Sequence, residues 1–140
     1  MRLPVTTEQF LVEYWQKRPL LCPQALPNFQ SPITAEELAG LAMEPDIESR
    51  MVWQDVGVWH QQAGPFKEQA FQGKAPWTLL VQRVDCFHAG VSALRNTLPP
   101  VPRWRFDDVM VSFATDQAGV GPHFDRYDVF LLQGMGRREW

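Results

Sequence analysis

The sequence predicts an α+β fold, mainly β, of the jelly-roll kind, built behind N-terminal helices. Three observations carry that reading. Two capped amphipathic stretches fill the first 45 residues. Alternating, β-branched and aromatic segments replace them from Arg50 onward. The strongest strand signal of all lies in the last forty residues, and helices followed by antiparallel strands is the order of an α+β or mainly-β architecture.

The elements follow in chain order. Thr6 and Gln9 stand at capping-box spacing, and Phe10, Leu11, Tyr14 and Trp15 give the helix they start an apolar face. Pro19 ends it, and Pro23 and Pro27 keep the next stretch irregular. Thr34 and Glu37 repeat the capping box. Leu38, Leu41 and Ala42 form the buried face of that second helix, and Pro45 stops it. Met51 to Gln54, a loop with Asp55 and Gly57, then Val58-Trp59-His60 predict a hairpin. Gly64-Pro65-Phe66 and Gly73 mark loops, and Trp77 to Val84 reads as a strand. Val91, Leu94 and Leu98 suggest a short helix closed by Pro99, Pro100 and Pro102. Asp107 to Ala114 alternates, with Val109, Val111 and Phe113 on one side. After turn material from Asp116 to Pro122, His123 to Gln133 is expected to be a further strand. Gly134-Met135-Gly136 then turns the chain into Arg137 and Arg138, the start of another.

Composition bounds what such a chain can do. Its 140 residues allow one domain, and with 45% hydrophobic and 12% aromatic residues they can build a core. A net charge of −3 offers no electrostatic footprint for nucleic acid or an anionic membrane and mildly favours a basic partner. The longest apolar run near the C-terminus, Val129 to Leu132, is far short of the roughly 20 residues of a spanning helix. Met1 to Gln9 has no apolar h-region, so a signal peptide is not expected. Cys22 and Cys86 stand 64 positions apart, which suggests neither a disulfide scaffold nor a zinc ribbon. A reduced, cytoplasmic protein is the expectation.

Chemistry concentrates in Gly119-Val120-Gly121-Pro122-His123-Phe124-Asp125. In a strand, residues i and i+2 point to one face, so His123 and Asp125 can present an imidazole and a carboxylate to one point. That is two-thirds of the 2-His-1-carboxylate triad that holds Fe(II) with positions left open. The His-x-Asp spacing alone is a weak signal, and a polar pair at a strand end fits it equally. No histidine follows His123. His60 fits a surface or packed role in the hairpin, and His88 fits a helix start. Gly119 and Gly121 allow positive φ and a close backbone approach that would help aim His123.

The wider context carries a resemblance. Tyr14 to Pro19, Glu37 to Glu44, Gly64-Pro65-Phe66, Trp77 to Asp85, Trp104 to Phe113 and all of Gly119 to Trp140 resemble the N-terminal part of the bacterial ribosomal oxygenases. These are cupin-fold, JmjC-like Fe(II)/2-oxoglutarate enzymes that hydroxylate an arginine of a large-subunit ribosomal protein. The resemblance implies a partial double-stranded β-helix, with a helical and β region over about residues 1–103 leading into the first half of a barrel over about 104–140. It implies His123 and Asp125 as the first two iron ligands. Arg138 matches the basic residue that pairs with the distal carboxylate of 2-oxoglutarate, a role suited to a guanidinium's two parallel charged hydrogen bonds. Arg137 beside it is a rival, and an exposed terminal arginine is the plainer reading of both. Asp116 matches a rim position for a substrate guanidinium, and equally suits a turn-forming aspartate. Tyr127 is placed at the substrate mouth or as a packing aromatic.

The implied cofactors are Fe(II) and, as co-substrate, 2-oxoglutarate. The implied partner is a basic ribosomal protein presenting an arginine-containing loop, with no direct nucleic-acid or membrane contact. Members of the family run to more than twice this length. They place the distal His on a later strand, followed by a dimerisation region and a winged-helix-like domain. The expectation is therefore a truncated half-barrel whose open edge at Trp140 invites homo-oligomers. Two other readings stand beside the oxygenase: a non-catalytic interaction module or remnant, and a cupin holding another divalent metal for isomerase or hydrolase work.

Overall fold

A computed structural model describes residues 1–73, 76–98 and 101–139. Its centre is a four-stranded antiparallel sheet in the order β2-β1-β3-β4, formed by β1 (Ser49–Asp55), β2 (Val58–Ala63), β3 (Trp77–Val81) and β4 (Val111–Ala114). Helices α1 (Thr7–Gln9), α2 (Ala35–Met43) and α3 (Ala89–Leu94) precede or interrupt it. The α+β expectation is met.

The register assigns side chains to two faces. Met51 lies opposite Leu79 and Trp53 opposite Trp77; Leu79 in turn faces Phe113, and Val81 faces Val111. This face packs with Ile33, Leu38 and Ala42 of the α2 region and with Ile47, Phe66, Val84 and Val91 to form the hydrophobic core. Burying a side chain such as Leu38 there contributes about 1.5–3 kcal/mol. On the opposite face, Val52 pairs with Thr78, Leu80 with Ser112, and Gln54 with Trp59. Every residue of β3 is buried, so this central strand has cover on both sides.

Local chemistry explains the elements. Both capping boxes form as expected. Thr34 Oγ1 accepts from Glu37 N–H at 3.2 Å, while Glu37 accepts from Thr34 N–H at 2.8 Å. Thr6 and Gln9 exchange the same pair of bonds, each 3.1 Å long. Leu38 and Ala42 are buried as expected, with Leu41 partly so. The hairpin turns through Val56 and Gly57, both at positive φ (46° and 79°), the geometry whose twist matches paired strands. His88 starts α3, its Nδ1 accepting from Val91 N–H at 3.3 Å. The closing Pro99 and Pro100 and the terminal Trp140 lie outside the described residues.

Three expectations need correction. The first helix is α-helical for only three residues and then widens into a π-helical turn over Phe10–Tyr14, closed by Trp15 N–H to Phe10 C=O at 2.8 Å. That turn buries Phe10 alone and leaves Leu11 exposed. Secondly, strand β4 begins at Val111 rather than Asp107, because side chains take the donors that a ladder would use. Asp108 accepts from Arg83 N–H and Asp85 accepts from Val109 N–H, each at 2.9 Å. Thirdly, His123 to Gln133 is no strand, and none begins at Arg137 among the described residues. Past Ala118 the described residues make no backbone–backbone hydrogen bond with one another, so strand-forming composition there has no neighbour to pair with.

This C-terminal segment is nevertheless docked. The Phe130 ring lies 6.5 Å from Phe10, 6.0 Å from Trp15 and 6.2 Å from Phe106, tying the segment to the π-helical turn. Gln133 Nε2 donates to Met135 C=O at 2.6 Å, and Gly136 takes a φ of 69° where a turn is expected. Phe124, Tyr127, Val129, Leu131 and Met135 are exposed.

Candidate metal centre

The loop that leaves β4 folds back over the sheet face opposite the core. Thr115 fastens its start: its Oγ1 accepts from Trp77 N–H at 2.9 Å. A turn then closes through Ala118 N–H to Thr115 C=O at 3.0 Å, with Gln117 at a φ of 60°. Thr78, the second residue of β3, donates its hydroxyl to Gly119 C=O at 3.0 Å. Gly121, at a φ of 75°, lies against the indole of Trp59. A Cβ built there would sit 2.7 Å from Trp59 Cε2, a distance no side chain tolerates.

Beyond these anchors His123 and Asp125 come together without a strand. His123 Nε2 is 3.6 Å from Asp125 Oδ2, and both side chains are about half exposed. His123 Nδ1 lies 2.9 Å from Gly121 C=O. A carbonyl can only accept, so Nδ1 carries the proton and donates it. In the neutral ring that leaves the Nε2 lone pair beside a carboxylate oxygen. Fixing one ring nitrogen on a backbone carbonyl is how metal-binding histidines are oriented.

The pair fits a divalent cation in reach as well as in chemistry. Ligand bonds of about 2.1 Å on each side require the two atoms to lie within about 4.2 Å of one another, and they do. An imidazole with a carboxylate also suits Fe(II). No group of three or more His, Cys, Asp or Glu that could hold a metal occurs among the described residues, so the pair accounts for two positions of a coordination sphere.

The other singled-out residues occupy exposed positions or roles of their own. Asp116 is exposed in the Thr115–Ala118 turn, which suits its turn-forming reading. Tyr127 is exposed beyond the pair, and Arg137 and Arg138 are exposed after the bend at Met135 and Gly136. His60 stacks on Trp53 with ring centroids 5.5 Å apart, and His88 caps α3; neither approaches the pair. Sequence reasoning missed the supports of the loop, Trp59 and Thr78. Nothing local to either residue announces a partner 41 or more positions away.

Comparison with known proteins bears on this geometry. The JmjC domain family model matches residues 93–140. Ribosomal protein uL16 3-hydroxylase of Escherichia coli is 45% identical over 139 residues, covering 99% of this chain and 37% of that protein. A probable ribosomal oxygenase of Haemophilus influenzae is 38% identical over 140 residues, which are 97% of this chain and 34% of that one. The solved structure of the ribosomal oxygenase YcfD from E. coli superposes with a TM-score of 0.82 at 42% identity, over 89% of this chain and 35% of YcfD. A YcfD structure in complex with cobalt and 2-oxoglutarate gives the same TM-score, identity and coverage. The chain thus spans about a third of the length of these ribosomal-oxygenase relatives.

Proposed function

We propose that this chain carries the first two iron ligands of a 2-oxoglutarate-dependent protein hydroxylase that acts on a ribosomal protein. The observation that carries the reading is the His123–Asp125 pair, with Nε2 at 3.6 Å from Oδ2 and Nδ1–H held by Gly121 C=O. The cobalt and 2-oxoglutarate bound by YcfD, and the ribosomal-protein substrate in the name of the E. coli relative, support the cofactors and the substrate class.

In this reading residues 104–140 are the opening half of the barrel, behind the helical and β region of residues 1–103. His123 and Asp125 hold the metal, and the Gly121 carbonyl keeps the ring turned so that Nε2 faces it. Arg138 would bind the distal carboxylate of 2-oxoglutarate through charged hydrogen bonds. Asp116 at its exposed turn receives the guanidinium of a substrate arginine presented on a loop, and Tyr127 flanks its path. Fe(II) with 2-oxoglutarate supplies the oxidising chemistry, while this chain binds, orients and shields. In this reading the work is done in the cytoplasm.

Calorimetric titration with Co(II) in the presence of 2-oxoglutarate tests the reading. Binding to the wild-type chain that His123→Ala and Asp125→Ala each abolish is the expected result. Unchanged binding by both variants overturns it. A wild-type chain that binds no metal points instead to an interaction module, a reading favoured by the exposed Phe124, Tyr127, Val129 and Leu131. That module would associate with itself or a partner through this surface.

A further inference from the structure

We infer that Trp59, on the edge strand of the hairpin, is a positioning residue for the metal pair, acting through the backbone of Gly121 on the ring of His123. The inference rests on the proposed metal role of His123 and extends it to a residue more than sixty positions earlier in the sequence.

Three linked contacts carry it. Trp59 is fixed opposite Gln54 in the β1–β2 ladder, so its indole projects from the face on which the glycine loop lies. The indole meets Gly121 so closely that an added Cβ would come within 2.7 Å of Cε2 and 3.0 Å of both Cζ2 and Nε1. Gly121 C=O in turn holds His123 Nδ1 at 2.9 Å, which leaves Nε2 toward Asp125. Trp59 is 42% exposed, so its ring is only partly committed to packing, and Gly121 lies against its covered part. With Trp53, Gln54 and Pro76 it also walls a small cleft under Gln117, Ala118 and Gly119, the stretch just upstream of Gly121. Remove the indole and Gly121, already at a φ of 75°, has no surface to rest on. Its carbonyl then loses its aim and the imidazole its fixed orientation.

The test compares Trp59→Ala, Trp59→Phe and wild type by two readouts. Nitrogen-15 spectra of the metal-free chain report which His123 ring nitrogen is protonated. Co(II) titration reports affinity. Wild type should show the Nδ1–H form, Trp59→Ala a mixture of both tautomers, and Trp59→Phe a return toward wild type. Co(II) affinity should fall about tenfold in Trp59→Ala, the lower end of the loss seen when the partner of a ligating histidine is removed. Gly121→Ala, which drives a methyl into the indole, should reproduce the tautomer mixture with Trp59 still present. Identical His123 spectra in wild type and Trp59→Ala overturn the inference, whether or not metal binds. A wild-type chain with the expected spectra but no Co(II) binding overturns the metal reading alone.

Discussion

Asp85 offers the sharpest test of how the approach to β4 is held. Its side chain is 2% exposed, and both oxygens are used: Oδ2 takes Arg95 Nη1 at 2.6 Å and Oδ1 takes Val109 N–H at 2.9 Å. Arg95 also donates to Phe106 C=O at 3.1 Å, while its Nε is buried without a partner among the described residues. One carboxylate thus fastens α3 to the approach of β4. Asp85→Ala removes the counter-charge of Arg95, whose side chain is about four-fifths buried, and leaves Val109 N–H unpaired. Breaking such a pair costs about 3–5 kcal/mol, and the partial exposure of Arg95 argues for the lower end, about 3 kcal/mol. That is a large share of the roughly 5–15 kcal/mol by which a domain is stable. With a urea slope of about 1.5–2 kcal/mol/M, the unfolding midpoint should fall by about 1.5–2 M at unchanged slope. Adding Arg95→Met should recover part of the loss, since no buried charge is then left alone. A loss below about 1 kcal/mol for Asp85→Ala, or strict additivity in the double variant, would refute the clasp.

Other expectations follow from the same contacts. Phe130→Ala should unpin the C-terminal segment from Phe10, Trp15 and Phe106, raising amide exchange and proteolysis across residues 119–139 while the sheet stays protected. Thr78→Val leaves the Gly119 carbonyl without its donor and should cost about 1 kcal/mol in chemical denaturation. The bond from Thr34 N–H, then the Thr34 hydroxyl and the nearby His88, hold the Glu37 carboxyl below its ordinary range. Because its folded value lies below the unfolded one, this contribution is full above the unfolded value. It disappears as pH falls through the folded one. Glu37→Gln, which removes the titrating group itself, should therefore flatten the acid limb of the thermal-stability curve, and an unchanged limb would count against the cap as its source.

What could be read in the sequence was local. Thr34 with Glu37, Thr6 with Gln9, the hairpin loop at Gly57 and His88 at a helix start each depend on partners within a few positions, so spacing alone exposed them. His123 and Asp125 were legible for the same reason, and the extended chain brings them together even without a ladder. The expected strand from His123 to Gln133 failed because β composition describes a surface that fits a neighbour and does not supply the neighbour. The delayed start of β4 and the clasp at Asp85 were hidden too, since both depend on partners 10 to 25 residues away that no pattern pairs in advance. The π-helical turn escaped because its apolar spacing reads as ordinary helix until the packing of Phe10, Trp15 and Phe130 selects the wider turn.

The strand order has a kinetic consequence. β1 and β2 meet across a two-residue turn, whereas β3 finds β4 only after the chain has closed a loop over residues 82–110. Loop-closure entropy makes the hairpin an early event and β4 docking a late one. The segment carrying His123 can fold back over the sheet only once β4 is in place, so its contacts form on the native side of the barrier. Refolding in stopped flow should slow when the Val56-Gly57 turn is stiffened wrongly, as in Gly57→Val. By contrast, Thr78→Val, or a divalent ion held by the finished loop, should act on the unfolding rate and leave refolding unchanged.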